Sequence, residues 1–122
     1  MKILVIGLGG FIGAILRYIF SKGFTLFLGN VIPFGTLFVN VAGSFMLGYI
    51  HTLSVEKLVI GENLRFFISV GMLGAFTTFS TFSLETIHLF EDGVYMLGLL
   101  YMFLNLFLSL MAAFFGIHFA RI

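Results

Sequence analysis

The sequence predicts an all-α membrane protein of four transmembrane helices, on three observations. Of its 122 residues, 61% are hydrophobic and only 9% carry charge. Its mean hydropathy of +1.20 is too high for so small a domain to stay dispersed in water. The apolar residues also fall into four stretches, each near the length of about 20 residues that a spanning helix needs, with short polar segments between them.

The first span is expected over residues 3 to 20, bracketed by Lys2 and Lys22. A cleaved leader fits this stretch poorly: Lys2 stands alone, Gly9 and Gly10 interrupt the apolar run, and no small-x-small site follows. The second span, residues 34 to 53, is opened by Pro33, the only proline. The third, residues 66 to 90, follows the polar loop SVEKLVIGENLR (54 to 65) and stops at EDG. The fourth, residues 94 to 120, ends just before Arg121. The spans take up nearly every residue, so residues 1 to 122 are expected to form a single transmembrane domain.

Charge and composition remove several function classes. The net charge is +1 and there is no basic run, so no nucleic-acid partner is expected. Without cysteine there is no disulfide or thiolate chemistry, and His51, His88 and His118 are too far apart for a helical metal motif. Lys2, Lys57, Arg65 and Arg121 fall on the side of the two termini, Arg17 and Lys22 on the other. That bias mildly favours cytoplasmic termini and is weak enough to permit insertion both ways up.

Polar residues inside the spans are costly in hydrocarbon and therefore informative. Thr36, Asn40 and Ser44 share one face of the second span, and Tyr101, Asn105 and Ser109 repeat the same spacing on the fourth. The third carries TTFSTF (77 to 82), then Glu85, Thr86 and His88. Interhelical hydrogen-bond glue, worth about 1 kcal/mol or less per bond, would account for one stripe; three stripes beside two phenylalanines favour a lined pathway. Gly74 and the threonines make a poor helix centre, which leaves a break or an intact, slightly bent helix both open. Glycines at packing separations in GLGGFIGA, AGSFMLG and GMLGA suit close helix crossings. Four short helices enclose little by themselves, so transport would need an oligomer.

GMLGAFTTFSTFSLE (71 to 85), GGFIGAILRY (9 to 18) and GTLFVNVAGSFMLG (35 to 48) together resemble the Fluc/CrcB fluoride channels, and the likeness covers essentially the whole chain. The resemblance implies an antiparallel, dual-topology dimer in the cell inner or plasma membrane. It would passively conduct fluoride out of the cytoplasm through two pores and so reduce fluoride toxicity. By that resemblance Phe79 and Phe82 are the pore phenylalanines, Asn40 the pore asparagine whose amide donates to the anion, and Ser80, Thr81 and Ser109 the polar track. Tyr101 would line the fourth-helix side, with Arg17 and Glu85 at the family's structural polar positions. A broken third helix would offer the carbonyls of Gly74 and Thr77 to a structural sodium ion at the dimer centre. Two positions depart from the family pattern: Ala75 stands in place of a second glycine, and Phe76 in place of a smaller residue. Phe76 is expected in core or lipid contact rather than as a pore ring.

Other classes fit less well. A small dual-topology multidrug/proton antiporter needs a membrane-embedded acid, usually in its first helix, and residues 3 to 20 contain none. Glu85 and His88 form an i, i+3 pair better suited to a helix-end contact than to an enzyme dyad. One half of a heterodimeric fluoride channel, paired with a paralogous subunit, stays open beside the homodimer.

Overall fold

The computed structural model describes all 122 residues and is entirely helical. Helix α1 spans Lys2–Leu28 and α2 spans Phe34–Val55. The third span, Glu62–Glu91, is composite. It opens with a single turn, α3 (Glu62–Arg65), widens into a π-helical run, Phe66–Leu73, and tightens again in α4 (Gly74–Phe76). Thr77 and Thr78 are extended (φ/ψ −83°/156° and −151°/116°), and α5 resumes over Phe79–Glu91. Helix α6 spans Tyr95–Arg121. All four spans are long and apolar enough to cross a membrane.

Helix α1 runs eight residues beyond the end expected at residue 20. Lys22 marked a boundary in the sequence, yet its ammonium donates to Tyr18 Oη one turn back (3.1 Å) and sits over that ring. A lysine with its stem on the helix and its head beside a phenol need not interrupt an apolar segment. The helix ends where Gly29 takes φ +78°, a conformation that favours glycine.

Close backbone contact takes the place of a large apolar core. A methyl group at Gly9 would strike the Phe67 carbonyl oxygen, and one at Gly13 the Met72 carbonyl. Gly71 on the π-helical run answers them by lying against the Ile6 carbonyl. Gly48 and Gly116 perform the same service between α2 and α6, against the Ala113 and Phe45 carbonyls. Membrane helices lack a hydrophobic drive towards one another, so association rests on such close van der Waals approach. Two small apolar clusters fill what remains: Val39, Leu73 and Phe76 in one, Phe82, Leu89 and Tyr101 in the other. Phe76 is thus a core residue, edge-on to Phe20 (6.0 Å between centroids, 89° between planes).

Two exposed ion pairs tie the face that holds both termini. Lys2 Nζ lies 2.5 Å from Glu62 Oε1, and Arg121 donates to both oxygens of Glu56 at 2.6 and 2.9 Å. The second pair fastens the C-terminal end of α6 to the residue after α2.

Two outcomes follow from these contacts. Gly13→Ala should lower thermal stability in detergent by about 1–3 kcal/mol, because a backbone carbonyl cannot give way as a side chain can; Gly7→Ala, on the same helix with nothing within 4 Å of the new methyl, should be neutral or better. The Arg121 hydrogen bonds hold the Glu56 carboxyl below its ordinary 4.5. A depressed carboxyl pKa contributes stability above its unfolded value and loses it as pH falls through the folded one. Arg121→Gln should therefore melt slightly earlier than the parent at pH 7, and the gap should close below pH 4.5.

Candidate functional site

The two extended threonines interrupt the helical ladder midway along the third span. Backbone groups freed at membrane depth must find partners within the protein, and α2 supplies the principal one. Asn40 Oδ1 accepts from the Thr78 N–H (2.8 Å), and Asn40 Nδ2 donates to the Thr78 carbonyl (3.2 Å). One side-chain amide thus pairs with one peptide unit much as a neighbouring strand would. The Thr78 hydroxyl caps α5 by accepting from Thr81 N–H (3.2 Å), the hydroxyl role favoured at helix starts. From α1, Arg17 Nε donates to the Ala75 carbonyl (3.0 Å). With α1 reaching Leu28, Arg17 lies well inside the helix rather than near its end.

These substitutions leave two carbonyls without their usual partners. In a continuous α-helix the Gly74 oxygen would accept from Thr78 N–H and the Thr77 oxygen from Thr81 N–H. Both donors are turned elsewhere, to Asn40 Oδ1 and to the Thr78 hydroxyl.

Beside the interruption is an open cavity of about 250 Å³, lined on the α2 side by Asn40 and Ser44, on the α6 side by Asn105 and Ser109, and bordered by Phe79 and Phe82. The two polar stripes of the sequence therefore face one space. Asn40 Nδ2 also donates to Asn105 Oδ1 across it (2.8 Å). Phe79 is 72% exposed and Phe82 only 5%; their rings meet edge to face at 5.5 Å and 65°. Phe82 is held in turn against Tyr101 (5.7 Å). No charged side chain lines the cavity.

The other site residues lie around this space rather than in it. Tyr101, 1% exposed, donates to Glu85 Oε1 (3.4 Å), which also accepts from Thr36 Oγ1 (2.5 Å). That contact joins α2, α5 and α6. Ser80 is exposed, with its hydroxyl 3.4 Å from that of Thr78, and Thr81 enters through its backbone N–H. Three buried side-chain atoms have no partner: Ser69 Oγ, Asn105 Nδ2 and Ser109 Oγ. Asn105 was visible in the sequence only as the middle of a stripe; its unpaired amide depends on how Asn40 is turned.

Comparison with known proteins gives one consistent answer. A family model described as CrcB-like protein, Camphor Resistance (CrcB), matches residues 4–117. A fluoride-specific ion channel FluC of Magnetococcus marinus is 44% identical over 122 residues, covering 100% of this chain and 99% of its own. A protein of the same name from Thermosipho melanesiensis is 46% identical, with 99% and 97% covered, and one from Campylobacter jejuni is 48% identical over 114 residues, with 93% of each covered. With four apolar spans and a match along almost its full length, the chain is a multi-pass membrane protein that belongs to the CrcB-like family.

Proposed function

We propose that the protein is a fluoride-selective passive channel that lets cytoplasmic fluoride leave the cell. The observation that carries this reading is that two phenylalanines and neutral amide and hydroxyl side chains line one cavity with no charged residue among them. An aromatic ring is positive at its edge. Phe79 and Phe82 can therefore face a small anion edgewise while the neutral polar groups of α2 and α6 replace part of its water. A site without a fixed cation attracts an anion without trapping it, which conduction requires. Full-length relatives named as fluoride-specific channels support the choice of ion.

The working unit is an antiparallel dimer of two such chains. Support comes from the shape of the site: the cavity is open to one side and Phe79 is largely exposed within a span, so a second wall is needed to make a pore. Dual topology agrees with the weak asymmetry of Lys and Arg across the membrane. Pairing with a paralogous subunit is the alternative assembly.

The Gly74 and Thr77 carbonyls, released from helical bonding, are hard oxygen donors of the kind that suits sodium. They would hold such an ion at the centre of the dimer, where its charge would secure the paired interruptions and favour anions nearby. Arg17, bound to the adjacent Ala75 carbonyl, adds positive potential from the same chain.

An antiporter is less well supported, since α1 carries no acid and the Glu85 carboxyl is engaged by Thr36 and Tyr101. Physiology fits a passive pore. Fluoride enters as its neutral acid, dissociates in a less acidic interior, and is driven out by the membrane potential once a path exists.

Purified protein in liposomes, under a valinomycin-clamped potassium gradient, should release fluoride to an electrode and retain chloride. Phe79→Ile, which keeps the bulk and removes the ring edge, should lower fluoride flux by about tenfold or more, equivalent to about 1.4 kcal/mol at the barrier. Wild-type protein that is folded and dimeric yet silent to fluoride would sink the proposal.

A further inference from the structure

We propose that the loop between α2 and α3 is a docking site for anionic phospholipid, with Leu58 and Val59 entering the acyl boundary and Lys57 and Arg65 meeting the headgroup charge. These loop residues lie outside the four spans, where hydrocarbon no longer covers exposed apolar side chains by default. Leu58 is nonetheless 80% exposed and Val59 70%.

The backbone holds that exposure in place. Leu58 is the only non-glycine residue with a positive φ, +56°, a left-handed conformation that strains a leucine and would not strain a glycine. Its surroundings are pinned all the same. Lys57 N–H donates to the Thr52 carbonyl (3.1 Å), Val59 N–H to the Leu53 carbonyl (3.0 Å) and the Ser54 hydroxyl to the Ile60 carbonyl (3.3 Å). A strained turn is thus fixed, and it carries a large apolar side chain outwards. Strain kept at an exposed position signals a use for the side chain it presents.

Charge decides which lipid fits. Segment 56 to 65 holds two acids and two bases. Both acids are neutralised from elsewhere, Glu56 by Arg121 and Glu62 by Lys2. Lys57 and Arg65 make no ion pair, and Arg65 is steadied over the Phe66 ring, 5.2 Å from its centre. The side-chain charge left uncompensated in the segment is therefore wholly positive. An exposed apolar pair with free cations, set where two spans meet water, matches a lipid surface with acidic headgroups, because apolar insertion and attraction to anionic lipid reinforce each other.

The chain has no tryptophan, so Leu58→Trp carries a single fluorescent reporter. It is placed in liposomes of phosphatidylcholine and phosphatidylglycerol in which one lipid or the other is brominated. Both should quench the reporter, and brominated phosphatidylglycerol should do so about threefold more strongly per mole. Adding Lys57→Gln and Arg65→Gln to the reporter protein should bring the two lipids level, as should high salt. Val31→Trp, whose parent residue is 71% exposed in the loop between α1 and α2 and lines a cavity with Asp92, should show no preference for the anionic lipid.

A second measurement needs no tryptophan. Leu58→Gly, which relieves the strain, should melt above the parent in neutral detergent yet gain less than the parent when phosphatidylglycerol is added. Equal quenching by both lipids, a preference that survives loss of both cations, or an equal gain by parent and Leu58→Gly would each overturn the proposal. So would a reporter with blue-shifted emission that neither lipid quenches, which would mean that protein covers the loop.

Discussion

A single pair of hydrogen bonds holds the centre of this molecule together. Where the third span leaves the helix at Thr77 and Thr78, the Asn40 amide receives the N–H and meets the carbonyl of Thr78. In water such a peptide would be solvated; in hydrocarbon it would be left bare at a cost of several kcal/mol. The interruption can therefore exist only because α2 carries an asparagine at that depth. Everything around the candidate site inherits its position from this contact: the start of α5, the placement of Phe79 and Phe82, and the orientation of Asn105 on the opposite helix.

Helix packing supplies the precision that contact needs. Gly9 and Gly13 let α1 lie directly on the π-helical run, and Gly48 with Gly116 lock α2 to α6. Hence the two asparagines that meet across the cavity are each carried by helices whose backbones touch, and neither distance depends on a flexible loop. Arg17 completes the arrangement from the third direction by capping the Ala75 carbonyl. Three helices thus converge on one interruption, each through a side chain that replaces a lost backbone bond or fills the space beside it.

Much of this was legible in the sequence, and what was hidden was hidden for physical reasons. Four spans follow from hydropathy alone, and the stripes of Thr36, Asn40 and Ser44 and of Tyr101, Asn105 and Ser109 showed which faces were polar. Phe76 was expected in core or lipid contact rather than as a pore ring, and it packs with Val39 and Leu73. The end of α1 was missed because a lysine reads as a boundary, whereas Lys22 rests on Tyr18. The π-helical run left no mark, since in Phe66–Leu73 nearly every residue is apolar and no polar period exists to distinguish one helical pitch from another. Which end of the Asn40 amide faces which neighbour could not be read at all, since it is fixed in three dimensions by Thr78.

The π-helical run also sets how the chain tolerates change in length. Such a run is in effect an α-helix carrying surplus residue per turn. A one-codon deletion within Phe66–Leu73 can be absorbed by closing a turn as ordinary α-helix, leaving Gly74 and everything after it at nearly the same depth and bearing. The same deletion in α6 has no slack to draw on. Each residue there advances the helix by about 1.5 Å and about 100°, so losing one between Asn105 and Ser109 would swing one of the two away from the cavity. Length variation among related chains should accordingly be admitted at the π-helical run and refused at α6.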